Sequence, residues 1–159
     1  MRWDKHQVLD ISYEVILMSD PRRGSADDAM GCRVRSSGIV SGPFQVTNLS
    51  SVIVDVQNLG NTTTDVTVKL ITWNSASVTC TGPIRCQTID DLRCGCVGAL
   101  VFSALPGGTY EVVICPKRRI NLRGSVTETA QVGGATLQNI PAAAMMPDDL
   151  GLCSLTCTP

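Results

Sequence analysis

The residues of this chain with most chemistry to offer are its eight cysteines: Cys32, Cys80, Cys86, Cys94, Cys96, Cys115, Cys153 and Cys157. Thiolates can hold a soft metal, attack an electrophile or close into disulfides, and their spacing helps decide which. The middle four run C-x5-C-x7-C-x-C. Structural zinc sites usually pair C-x2–4-C knuckles. Cys94-Gly95-Cys96 is tighter than such a knuckle, and Cys80 to Cys86 is wider. No C-x-x-C-H haem attachment occurs, and iron–sulfur spacing is lacking. Disulfides, within one subunit or between subunits, are therefore the expected use. No metal or other cofactor is expected. A bond between Cys94 and Cys96 would be strained, so each is expected to bond elsewhere.

Acid–base equipment is sparse. A Ser-His-Asp or Cys-His arrangement would have to use His6, the single histidine, in the polar start of the chain. The adjacent acids Asp27-Asp28, Asp90-Asp91 and Asp148-Asp149 suit solvated loops, and no EF-hand loop follows them. Phosphate-cradling glycine motifs do not occur. The chain is not expected to be an enzyme. Lys117-Arg118-Arg119, with Arg123 nearby, reads as a charged turn between strands; contact with an anionic polymer or an acidic neighbour is the alternative.

The balance of 13 basic and 14 acidic residues gives no basic footprint for nucleic acid. Aromatic residues are only 4%, so few platforms exist for stacking on bases or sugars. Near-neutral charge favours association. No segment approaches the ~20 apolar residues of a membrane span. After Arg2 and Lys5, an apolar patch is broken by Asp10 and Glu14 and leaves only Val15 to Met18 uninterrupted, too short for a secretory core. Export by the Sec route is not expected. Cysteines without a signal leave three readings: reduced or metal-bound thiols, a hyperthermophile's intracellular disulfides, or release when the producing cell lyses.

At 159 residues, one domain with extensions is expected. Residues 7–18 place Leu9, Ile11, Tyr13, Val15 and Leu17 at period two, which predicts a strand with one buried face. A turn-rich stretch follows, so residues 1–31 read as an N-terminal extension of strand plus linker. That strand can pack on its own domain or complete the sheet of a neighbour. Residues 32–140 read as a β-sandwich. Val52, Val54 and Val56 alternate with Ser51, Ile53, Asp55 and Gln57, and Val66, Val68, Leu70 and Thr72 with Thr67, Lys69 and Ile71, while Tyr110, Val112 and Ile114 follow the same period. Further short strands are expected in 37–49, 99–104, 119–132 and 135–140, with turns at Asn58–Asn61 and Pro106–Gly108. Residues 75–98 break this rhythm and are expected to be a Cys-rich insertion. Residues 141–159 are expected to run over the surface as a tail pinned by disulfides. The fold class is all-β: an antiparallel jelly roll or related β-sandwich with an N-terminal extension strand.

SVIVDVQNLGNTTTDVTVKLITW at 51–73 and LVFSALPGGTYEVVI at 100–114 resemble the small β-sandwich proteins of Firmicute spore surfaces. Among these, the chain is similar to the subunits of endospore appendages (Ena-type pili). The resemblance implies a jelly roll that stacks into helical fibres by edge-to-edge sheet pairing. It also implies an N-terminal connector that reaches a preceding subunit and is fastened by disulfides. Release by mother-cell lysis would explain disulfides without an export signal. That family's connector carries cysteines near its start, whereas residues 1–31 here contain none. Cys32 is the nearest thiol that could lock the connector, with Cys153 and Cys157 as alternatives.

The expected function is a structural subunit that assembles with copies of itself into a disulfide-stabilised extracellular fibre or spore-surface layer. Its contact residues would be Leu9, Ile11, Tyr13, Val15 and Leu17, and an anchoring protein on a cell or spore surface could be a further partner. The rival expectations are a non-catalytic module that binds carbohydrate or calcium, and a cytoplasmic Cys-cluster metal protein.

Overall fold

The computed structural model describes residues 38–73 and 81–159, all within the compact unit Val34–Pro159. The expected strand at 7–18, its five contact residues, His6, Cys32 and Cys80 lie outside the described residues.

Ten strands build two antiparallel sheets. In chain order they are β1 (Ile39–Val40), β2 (Phe44–Val46), β3 (Ser50–Asn58), β4 (Thr64–Trp73) and β5 (Thr81–Leu92). They continue with β6 (Val97–Leu105), β7 (Gly108–Pro116), β8 (Leu122–Ala130), β9 (Thr136–Ile140) and β10 (Met146–Pro147). One sheet has the order β10-β1-β7-β4-β5, with β2 also paired to β7; the other has the order β6-β3-β8-β9. The antiparallel sandwich expected from the valine-rich alternation is thus the architecture found.

The inner faces meet in one apolar cluster. Val52, Val54 and Val56 from β3, Phe102 from β6 and Val126 from β8 face Val66, Val68 and Leu70 from β4 and Val112 and Ile114 from β7. Period-two side chains put each of these sets on a single face. Burying each such side chain stabilises the fold by about 1.5–3 kcal/mol. Gly124 on β8 has a packing reason to be glycine, because a Cβ there would lie 2.4 Å from Ile114 Cδ1.

The two sheets differ on their outer faces. On β3 burial alternates with partial exposure, the ordinary signature of a sheet with one covered face. On β4 and β7, Lys69, Ile71, Glu111 and Val113 are buried as well, although they point away from the inner core. Residues 146–155 cover them. Val40, Ile71, Ile84, Val113 and Leu152 form a second apolar cluster, bordered by Trp73, Cys86, Cys115, Cys153 and Leu155. The expected surface tail is therefore a strap that converts half of the sandwich into three layers.

Residues 75–98 are not simply an insertion. Within that stretch Thr81–Leu92 form β5, paired with β4 along its length, and Val97 opens β6. Ile84 and Cys86 face the strap, while Ile89 packs against the inner core. The polar residues that mask the strand are those of a sheet edge. Gln87 Nε2 donates to the Val101 carbonyl at 2.9 Å, and Arg85 reaches the Ser103 carbonyl, so β5 side chains bridge to the edge of the facing sheet.

At one end of the sandwich, Glu128 on β8 is buried and ties three elements together. Its carboxylate accepts from Thr47 N at 2.6 Å, Ser50 Oγ at 2.7 Å and Gln138 Nε2 at 2.6 Å. Burial alone would raise its pKa. The hydrogen bonds from Ser50, Thr47 and Gln138 outweigh that and hold the carboxyl below the usual glutamate value.

Candidate functional site

Six of the eight cysteines fall among the described residues, and the fold sorts them into two groups. Cys86 on β5 bonds Cys157, and Cys115 on β7 bonds Cys153. Cys94 and Cys96 are unbonded and exposed. The separations across the two bonds are 71 and 38 residues, so both close long loops. These two bonds fasten the strap to the two strands that flank β4 in the same sheet.

The strap is also held without covalent bonds. Lys69 on β4 is 6% exposed, and its Nζ donates to the main-chain carbonyls of Cys153 and Leu155. Burial lowers its pKa from the ordinary lysine value, and the nearby Asp148 carboxylate partly opposes that shift. Asp148 is itself buried. Its two oxygens accept from Leu152 N and Cys153 N, both at 2.8 Å, which sets the 3-10 turn Leu152–Ser154. Here a residue of an adjacent acidic pair, expected on a solvated loop, shapes the backbone instead. Its partner Asp149 is exposed, as are Asp90 and Asp91.

The unbonded pair occupies the turn between β5 and β6, and this turn is firmly held. Asn58 N donates to Cys96 O at 3.1 Å, and Gly95 N donates to Asn58 O at 2.8 Å. Cys96 N closes the turn on Arg93 O at 3.0 Å. Gly95 adopts φ +75°, a left-handed conformation open to glycine without a Cβ penalty. Beneath the turn, the fully buried Asn58 donates through Nδ2 to Thr62 O and Leu92 O and accepts from Gly60 N through Oδ1. Sequence reading takes Asn58 as turn punctuation. The structure gives it the larger role of locking the thiol-bearing turn to the end of β3.

A shared metal centre built from the middle cysteines would need Cys86 beside Cys94 and Cys96. Cys86 is instead tied to Cys157, and among the described residues no group of three or more His, Cys, Asp or Glu side chains is placed to hold a metal ion. The basic run forms the exposed connection between β7 and β8. Lys117 pairs with Asp65 at 3.1 Å, and Arg118 and Arg119 are exposed. Among the described residues no helix is long and apolar enough to cross a membrane.

Among the described residues the end strands are β5 and β10 in one sheet and β6 and β9 in the other. The outer edge of β5 is met by Thr158, whose N–H donates to Ile84 O and whose Oγ1 accepts from Ile84 N, and that of β6 by the Gln87 and Arg85 side chains. At twelve residues β5 is the longest of them. Comparison with protein-family models, curated proteins and solved structures finds no match to this chain.

Proposed function

We propose that the protein is a structural subunit that assembles with copies of itself into a disulfide-locked fibre or surface layer outside the cell. The observation that carries this reading is the pair of exposed, unbonded thiols at Cys94 and Cys96. They sit on a turn fixed by backbone hydrogen bonds and by a buried asparagine. Four other cysteines are already committed within the subunit. A rigid turn that offers two thiols outward suits a covalent joint to another chain. A second copy would supply the partner cysteines, Cys32 being the foremost candidate.

Strand addition gives such a joint its non-covalent half. In this reading residues 7–18 pair along a free edge of a neighbour, with Leu9, Ile11, Tyr13, Val15 and Leu17 buried and main-chain bonds running the length of the strand. The resemblance to endospore appendage subunits supports the same scheme, and a spore or cell surface is the proposed location. Disulfides between copies would then make the assembly outlast its equilibrium stability.

The test is negative-stain electron microscopy of the purified protein with and without reductant, beside a form lacking residues 1–18 and the Cys94→Ser/Cys96→Ser variant. The expected result is denaturant-resistant fibres that loosen in reductant. Neither altered protein is expected to form resistant fibres. Discrete monomers of the unaltered protein under both conditions would overturn the proposal, as would resistant fibres of normal length from either altered form.

A further inference from the structure

A cavity of about 430 Å³ opens between the strap and the outer face of the β1-β7-β4 sheet. Its volume lies in the range of small-molecule sites, roughly 300–1,000 Å³. Val40, Trp73 and Leu152 contribute apolar wall, and Glu111, Asp148 and Asp149 contribute carboxylates. Among the described residues no lysine, arginine or histidine lines it.

The three acids are not equivalent. Asp149 is exposed to solvent. Asp148 has both oxygens occupied by backbone N–H groups and has the Lys69 ammonium nearby as a countercharge. Glu111 is 4% exposed and has no cationic partner among the described residues. Its Oε2 accepts the Trp73 indole N–H at 2.9 Å, while Oε1 accepts no hydrogen bond among the described residues. Every fully enclosed side-chain oxygen or nitrogen among the described residues is hydrogen-bonded, so Oε1 keeps contact with solvent at the cavity, where a ligand can reach it. It is also a recognition group in waiting, because a desolvated charge attracts its opposite strongly.

We propose that this cavity binds a small organic ammonium, a primary alkylamine whose chain lies against Val40 and Leu152 and whose charged head pairs with Glu111 beside Trp73. The ammonium donates a hydrogen bond to Oε1 in place of solvent and brings a positive charge to a wall of carboxylates. A neutral alcohol of the same length would gain the apolar contacts and lose the charge. A carboxylate would be repelled by all three acids.

Burial raises the pKa of Glu111; the Trp73 hydrogen bond opposes this and the Asp148 charge adds to it. Amine binding should therefore weaken as pH falls through that raised value, with Asp148, Asp149 and Lys69 as the other charged groups around the site.

The experiment titrates hexylammonium chloride, hexan-1-ol and sodium hexanoate into dispersed protein by calorimetry and by tryptophan fluorescence. A Trp3→Phe form assigns the optical signal to Trp73. Hexylammonium is expected to bind saturably and at least about tenfold more tightly than hexan-1-ol, equivalent to about 1.4 kcal/mol. Hexanoate is expected not to bind. Glu111→Gln should bring hexylammonium down to the level of the alcohol. Equal binding of amine and alcohol to the unaltered protein would overturn the proposal, as would absence of saturable amine binding. The ligand series needs no substitution, so it decides the matter even if Glu111→Gln does not fold. It is independent of whether copies of the chain assemble.

Discussion

The ammonium of Lys69, in the middle of a central strand, donates to the main-chain carbonyl of Cys153, so a buried charge and a disulfide hold the same point of the strap. The same nitrogen also reaches Leu155 O. Lys69→Met keeps much of the side-chain length and removes the donor. Two carbonyls then lose their partner, and Asp148 loses its countercharge. The expected cost is about 1–3 kcal/mol, the usual penalty for leaving buried polar groups unsatisfied. Denaturant unfolding with both disulfides intact checks it.

The two disulfides should be separable in stability. Replacing Cys115 and Cys153 by alanine, or Cys86 and Cys157, is expected to cost about 2–4 kcal/mol in each case through loop-closure entropy. The 71-residue separation exceeds the 38-residue one nearly twofold, so the Cys86–Cys157 pair should contribute about 0.6 kcal/mol more on entropy alone. Thermal unfolding of each double variant, with and without reductant, measures this. Among the described residues, each variant leaves one disulfide for reductant to break.

Glu128 makes an acid-sensitive contribution. Its folded pKa is lowered, so between that value and the ordinary glutamate pKa the unfolded chain binds the extra proton. Stability from this group is full above the ordinary value and is lost as pH falls through the folded one. Glu128→Gln should flatten that part of the stability–pH curve. It should also cost about 1.5–3 kcal/mol at neutral pH, the range for hydrogen bonds to a charged group. Denaturation midpoints from neutral pH down to the acid limb test both statements.

Gly124→Ala should destabilise by about 1–3 kcal/mol through overpacking, because the new methyl would meet Ile114 Cδ1. Ile114→Val removes that same atom. The double variant should recover part of the loss, giving a favourable coupling in a double-mutant cycle. Additive losses would mean that the contact is relieved elsewhere.

Asn58→Ala should loosen the thiol turn as well as the fold. It strips donors from Leu92 O and Thr62 O and the acceptor from Gly60 N. A loss of about 1–3 kcal/mol is expected. Hydrogen exchange at the Gly95 and Cys96 amides should quicken in the variant. Unchanged exchange there would separate the buried asparagine from the turn.

The inner core was largely legible in the sequence. Val52, Val54 and Val56, or Val66, Val68 and Leu70, report a covered face directly, because strand side chains alternate. The fastening of the last segment was legible too, from Cys153 and Cys157 beside prolines. The second covered face was not. Lys69 and Glu111 look like solvent-side residues of one-sided strands, and only the strap's path over them explains their burial. β5 was hidden for a related reason. Its edge position supplies arginine, glutamine and threonine where a central strand would carry valine, so local composition imitates a loop. The cavity beside Glu111 joins β1, β4, β7 and the strap, and no local spacing in the sequence announces such a junction.

The strap also fixes an order of events during synthesis. Each of the two disulfides among the described residues joins a sheet cysteine to one that follows the last long strand in the chain. While the sandwich strands emerge, Cys86 and Cys115 have no correct partner, and Cys80, Cys94 and Cys96 are the nearer thiols in sequence. Oxidation at that stage favours scrambled bonds, whereas oxidation after the strap has docked finds the proper pairs already adjacent. A protein of this design is best made under reducing conditions and oxidised afterwards, so its maturation would depend on the timing of a change in redox environment.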